Sequence, residues 1–141
     1  MTFHPHEIDY LNTSTLGRLA TVAADGTVHN SPVGFSYNAE LGTIDIGGFS
    51  MSKSQKYRNI ATNPTVAFVV DDIASVDPWR VRCLEIRGVA EQAQVPARVA
   101  AETGDEMDTA IIRITPKRII GFGIDRTDVP AHELKADARN V

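Results

Sequence analysis

One cysteine, Cys83, occurs in the 141 residues, so no internal disulfide can brace the fold. That usage fits a reducing compartment. The opening MTFHPHEIDYLNTS lacks a basic region followed by an apolar run, and no apolar stretch approaches the ~18 residues that span a bilayer. A cytoplasmic protein with no membrane partner is expected. Basic excess is also missing, since 14 Lys and Arg stand against 18 Asp and Glu, for a net charge of −4 and a pI near 5.5. Without clustered cations to neutralise phosphates, nucleic acid is excluded as the expected partner. The four histidines, His4, His6, His29 and His132, share no metal-ligand spacing, and one cysteine cannot complete a zinc set, so no metal site is expected. Gly-x-Ser-x-Gly, a Walker lysine loop and Gly-x-Gly-x-x-Gly are all absent. Hydrolase, nucleoside triphosphatase and Rossmann readings therefore lack support.

What remains is an ordinary globular composition, 43% apolar and 23% charged. The length suits one domain over residues 1–141, with the ends, 1–7 and 126–141, expected to be flexible. Ile8 and Leu11 share a face in a short helix over 6–13, placed to cover one end of a barrel. LGRLATV (16–22) alternates, Asp25-Gly26 supplies a tight turn, and 28–37 returns as one strand. A turn at 38–42 leads into the strand TIDIG (43–47). After Gly47-Gly48 the alternation stops, and a helix follows that a serine starts and that ends before Pro64. The near-continuous apolar run TVAFVV (65–70) suggests a strand buried on both faces, and DDIASVDP reads as a loop. Residues 81–92 alternate, with Gly88 marking a bulge or bend. Segment 93–108 is polar and irregular, a crossing segment or lid. Residues 109–124 read as two strands divided by Pro116. Six or seven strands with one inserted helix make an antiparallel barrel, mainly β with a few short helices.

Two stretches carry chemistry. Gly47 to Asn63 places a glycine pair, then Ser52, Ser54 and Lys56, at a helix start, where backbone amides and the lysine suit a phosphate; Arg58 contributes if it turns inward. The same residues also fit a polar cap with solvated lysines, and composition does not separate the two. DPWRVRCLEIRG sets Trp79 before Arg80 and Arg82, which share one strand face and suit either a cofactor wall or a solvated edge. Cys83, mid-strand with no histidine near it in the sequence, reads as a buried, inert thiol.

Taken in order, LGRLATVAADGTVHNSPVGFSYN, SQKYRNIATNPTVAFVVDD, PWRVRCLEIRGVAE and RITPKRIIGFGI resemble the pyridoxamine 5'-phosphate oxidase-like split-barrel superfamily, and within it the actinobacterial branch that uses the deazaflavin coenzyme F420. The resemblance runs over roughly residues 8–125. It implies a six-stranded antiparallel split barrel, the FMN-binding split barrel, that forms a homodimer with two cofactor sites between protomers. It implies that Ser54, Gln55 and Lys56 match the Ser-Arg-Lys step that holds the cofactor phosphate, with a neutral glutamine replacing the arginine. Asn30, Ser31, Pro32, Val33 and Gly34 match the wall along the ring; Ile46 and Gly47 match positions near the cofactor's sugar-like chain. Trp79, Arg80 and Arg82 match residues given by the partner chain, and Cys83 falls where the oxidase has a ring-contacting glutamine. The implied activity is hydride transfer between F420 and a small electron-poor acceptor, with no residue nominated as catalytic acid or base. FMN in place of F420, and a non-catalytic flavin, deazaflavin or haem carrier with His29 as the axial ligand, are the alternatives.

Overall fold

Alternation places one face of each strand inward, and the computed structural model, which describes residues 2–103 and 107–141, builds its barrel from that rule. In β1 (Leu16–Val22) the inward positions are Gly17, Leu19 and Thr21. Gly26 adopts φ 87° in the Asp25-Gly26 turn, and the chain returns as β2 (Val28–Gly34), paired with β1 from Val22↔Val28 to Leu16↔Gly34. The strand expected over 28–37 is broken at Phe35. That residue's ring turns into the core, edge-on to Phe68 at 5.1 Å, and β3 (Ser36–Asn38) leaves in a new direction to pair with β4 (Thr43–Ile46).

A 3₁₀ turn (Met51–Lys53) and α2 (Gln55–Thr62) follow, then β5 (Thr65–Ser75), β6 (Arg80–Gln94), α3 (Ala97–Thr103), β7 (Ala110–Phe122) and β8 (Asp137–Asn140). The strands pair in the order β2-β1-β5-β6-β7-β4-β3, all antiparallel, with β8 added to β7. Because the two ends of that path, β2 and β3, are joined through Phe35 alone, the sheet closes on itself. Counted as one bent strand, β2 and β3 give the six strands of a split barrel. Inside lie Phe68, Leu84, Ile86, Ile112, Ile114 and Ile119, none more than 1% exposed.

Several expectations change for physical reasons. β5 runs on through the stretch read as a loop because Asp71 and Asp72 find cations across the sheet, Arg18 at 3.4 Å and Arg82. Only one face of TVAFVV is buried; Val66, Phe68 and Val70 point in, while Ala67 and Val69 are half-buried. Pro116 does not divide β7. It sits at the Gly88 bulge, where a β-carbon on Gly88 would overlap the Thr115 carbonyl, so the missing proline N–H falls where the ladder is already disrupted. In segment 93–108, β6 reaches Gln94 and α3 follows; residues 104–106 lie outside the described residues.

The C-terminal stretch, expected to be a flexible tail, contains β8. Its Arg139 donates to both oxygens of Glu7, at 2.6 and 3.0 Å, and to the Thr2 carbonyl at 2.8 Å. Glu7 belongs to α1 (Pro5–Thr13), is wholly buried, and also accepts the His4 N–H at 2.7 Å. Burial pushes the Glu7 carboxyl up, but the hydrogen bonds from Arg139 and His4 and the Arg139 charge together bring it below its ordinary value near 4.5. A depressed folded-state value means that this carboxylate contributes stability above about pH 4.5, lost as pH falls through the folded value. Arg139→Ala strands a buried carboxylate, and urea titration should show a loss of about 2–4 kcal/mol at pH 7 that shrinks toward pH 3. An unchanged midpoint at pH 7 would refute this role for the ion pair.

Candidate functional site

Barrel closure itself makes the site. Ser36 pairs with Asp45, Tyr37 with Ile44 and Asn38 with Thr43. Beyond this ladder, Gly34 at the end of β2 and Gly47 just past β4 line one opening. Between them opens a cleft of about 630 Å³, within the ordinary range for small-molecule sites. Pro32, Val33 and Gly34 form one side, and Gly47, Gly48 and Phe49 the other. Ser50, Met51 and Met107 extend the lining, and Ser54 and Lys56 complete it.

Ser54 is the N-cap of α2, accepting from the Tyr57 N–H at 3.3 Å and donating to the Met51 carbonyl at 2.7 Å. Lys56, one residue into the first turn, makes no hydrogen bond or ion pair among the described residues. It is the cation in the cleft lining. The other residues expected around a phosphate have partners within the protein. Ser52 donates through its N–H, at 3.0 Å, and its hydroxyl, at 2.6 Å, to Asp108 Oδ2. Those bonds, with others from the Ala110 and Thr109 N–H groups, hold the Asp108 carboxyl down to about 2. The Asp108 N–H in turn donates to the Gly48 carbonyl at 3.0 Å. Gln55 and Arg58 are tied along the helix: Arg58 donates to Gln55 Oε1 and to the Lys53 carbonyl, both at 2.7 Å, and Gln55 donates to Asn59 Oδ1 at 2.8 Å. Asn59 is 1% exposed, and its amide group lies 3.0 Å from Thr21 Oγ1 and 3.1 Å from His29 Nδ1. That amide donates to both. His29, the candidate haem ligand, is outside the residues that line this cleft.

The remaining expected residues stand apart within the single chain. Asn30 faces a different recess, beside Arg18 and Glu85. Ser31 is half-buried, and Ile46 is wholly buried, so it can offer a ligand only its backbone. Trp79 and Arg82 border a second hollow of about 660 Å³ on the hairpin formed by β5 and β6. Arg82 is bidentate on Asp72 and lies over the Tyr10 ring at 5.2 Å, with the Tyr10 hydroxyl donating to Asp72 Oδ1 at 2.9 Å. Burial, followed by that bond to Asp72, pushes the Tyr10 phenol up. Arg80 donates to the Arg126 carbonyl at 3.1 Å. Cys83, expected to be buried, is half-buried on that second hollow; partial burial raises its thiol and the charges of Asp71 and Glu85 raise it further, which favours the neutral form. Sequence reasoning missed Phe49, Met51, Met107 and Asp108. The available signal was the glycine pair followed by an aromatic, together with the strand register; nothing marks Met107.

A split barrel closed at a lysine-bearing cleft defines the class of fold, and the comparisons give its family. The profile of the pyridoxamine 5'-phosphate oxidase family matches residues 4–122. A 5a,11a-dehydrotetracycline/5a,11a-dehydrooxytetracycline reductase of Streptomyces rimosus is 44% identical over 141 positions, covering 97% of this chain and 96% of the relative. Among solved structures, an F420 reductase superposes with TM-score 0.56 at 29% identity, over 74% of this chain and 88% of that one. The conserved hypothetical protein Rv2991 of Mycobacterium tuberculosis gives TM-score 0.70 at 23% identity, over 91% and 89%, a likeness of fold. The chain belongs to the pyridoxamine 5'-phosphate oxidase family and is an oxidoreductase of that class. No helix among the described residues is long and apolar enough to cross a membrane.

The Asn59 network fixes α2 against β1 and β2 and so sets where Lys56 stands. Asn59→Ala removes a buried hub and leaves Thr21 and Gln55 short of a partner, so chemical denaturation should show a loss of about 2 kcal/mol. A loss under about 0.5 kcal/mol would show that the network is replaced by water.

Proposed function

We propose that this oxidoreductase binds deazaflavin F420 in the seam cleft and uses it to reduce a conjugated, polycyclic acceptor of the dehydrotetracycline kind. The observation that carries the reading is the unpartnered Lys56 beside the α2 N-terminus, facing the Pro32–Gly34 wall. The 44% identity to a dehydrotetracycline reductase supports the acceptor class, and the likeness to an F420 reductase supports the cofactor. Charge supports the choice between cofactors. FMN ends in a phosphate monoester of about −1.5 to −2, whereas the F420 phosphodiester carries one negative charge. A lining with one cation, its would-be arginine replaced by a Gln55 that faces Asn59, suits the monoanion.

The residues fit that group. Lys56 supplies a charge-assisted hydrogen bond to the phosphodiester, and the N–H groups of the first turn of α2 point the same way. Pro32, Val33 and Gly34 lay an apolar, close-approaching wall against the ring, excluding water from one face. Bound and reduced, the deazaflavin supplies a hydride. Orientation and burial are what the protein adds, and water can supply the proton that completes the reduction. The protein works in the cytoplasm as a homodimer, in which Trp79, Arg80 and Arg82 of the β5–β6 hairpin close the partner's cleft.

Fluorescence titration of the purified protein against F420 and FMN tests the reading. Preference for F420 is expected, and Lys56→Ala should weaken it by about 1.5–3 kcal/mol, roughly ten- to hundredfold. Preference for FMN would overturn the cofactor assignment, and an unchanged dissociation constant in the variant would overturn the anchor.

A further inference from the structure

Phe49 stands out from every other side chain of the cleft. It is 69% exposed, although large aromatics are normally covered, and it follows two glycines at the lip opposite the Pro32–Gly34 wall. Met107 lines the same cleft. A β-carbon at Gly47 would stand 3.2 Å from the Met107 methyl, so this thioether rests directly on the glycine backbone. Met51, 2% exposed, supports Gly48 from beneath. The seat of Met107 is set by its neighbour, because Asp108 is bonded to the Gly48 carbonyl and twice to Ser52.

We propose that Phe49 and Met107 form an acceptor shelf, a ring and a thioether that hold the flat face of a polycyclic acceptor against the exposed side of the cofactor, with Asp108 as the residue that positions the shelf. This rests on the cofactor reading above and deepens it by assigning the second substrate's contacts. A planar cofactor laid on the Pro32–Gly34 wall keeps one face open, and hydride transfer needs the acceptor stacked on that face with reacting atoms about 3–3.5 Å apart. The opposite lip then has to grip a flat, apolar surface. An aromatic ring stacks on it, and methionine adapts to its edge through sulfur–aromatic contact. A shelf of this extent favours fused rings over single ones.

The test separates the shelf from the anchor by measuring acceptor binding without turnover. Protein loaded with oxidised F420 is titrated with a one-ring quinone, a two-ring naphthoquinone and dehydrotetracycline, each followed by its own absorbance. Wild type should bind more tightly as ring count rises. Phe49→Ala and Met107→Ala should flatten that series, weakening the tetracyclic compound by tenfold or more while F420 loading stays within twofold. In turnover the loss should fall on KM more than on kcat. Phe49→Trp should restore binding. Asp108→Ala should weaken the tetracyclic compound several-fold, and Asp108→Asn, which can still accept from Ser52, should recover part of it. Unchanged acceptor binding in Phe49→Ala, or a loss of dimer or of F420 loading in its place, would overturn the shelf. Failure of wild type itself to load F420 would overturn the cofactor reading beneath it.

Discussion

Everything in this molecule depends on the closure of one sheet through a single residue. β2 and β3 are the two ends of the hydrogen-bonded path, and the chain joins them at Phe35 without a loop. A sheet whose outermost strands are covalently adjacent has to curl until they meet. The twist of antiparallel strands supplies the curl, and the Phe35 ring against Phe68 fixes the corner from inside. Closure brings Gly34 and Gly47 to one opening, where the β3–β4 ladder has ended and small residues line an open space.

The barrel was legible because its strands are short, alternating and separated by turn chemistry with few meanings. Asp25-Gly26 and the Ser54 cap are local signals, and the structure realises both. What failed had non-local causes. β5 continues past Val70 because Arg18, distant in sequence, and Arg82, across the hairpin, neutralise Asp71 and Asp72. β7 passes through Pro116 only because Gly88 across the sheet makes room. β8 forms because a carboxylate buried in α1 needs the guanidinium of Arg139.

The site divides along the same line. Pro32, Val33, Gly34, Gly47, Ser54 and Lys56 meet in one cleft, as position in the strands and helix suggested. Ser52, Gln55 and Arg58 lie in the same stretch, yet their donors and acceptors serve Asp108, Asn59 and the helix itself. Residue type announced phosphate chemistry for the whole run; pairing removes Ser52, Gln55 and Arg58, and the cleft lining selects Lys56 from the two lysines. The Asp108 clasp joins residues 56 apart in sequence, a contact that no local pattern encodes.

The corner at Phe35 also decides where this scaffold can vary. Added residues at the Asp25-Gly26 turn lengthen a surface loop, at a closure cost that grows only logarithmically. One residue added at the corner would slip β2 against β1 or β3 against β4 and exchange the inward and outward faces of whichever strand shifted, dissolving both core and cleft. Length variation is thus barred at the seam and free at the Asp25-Gly26 turn, so the barrel can hold its cofactor seat constant while that edge drifts.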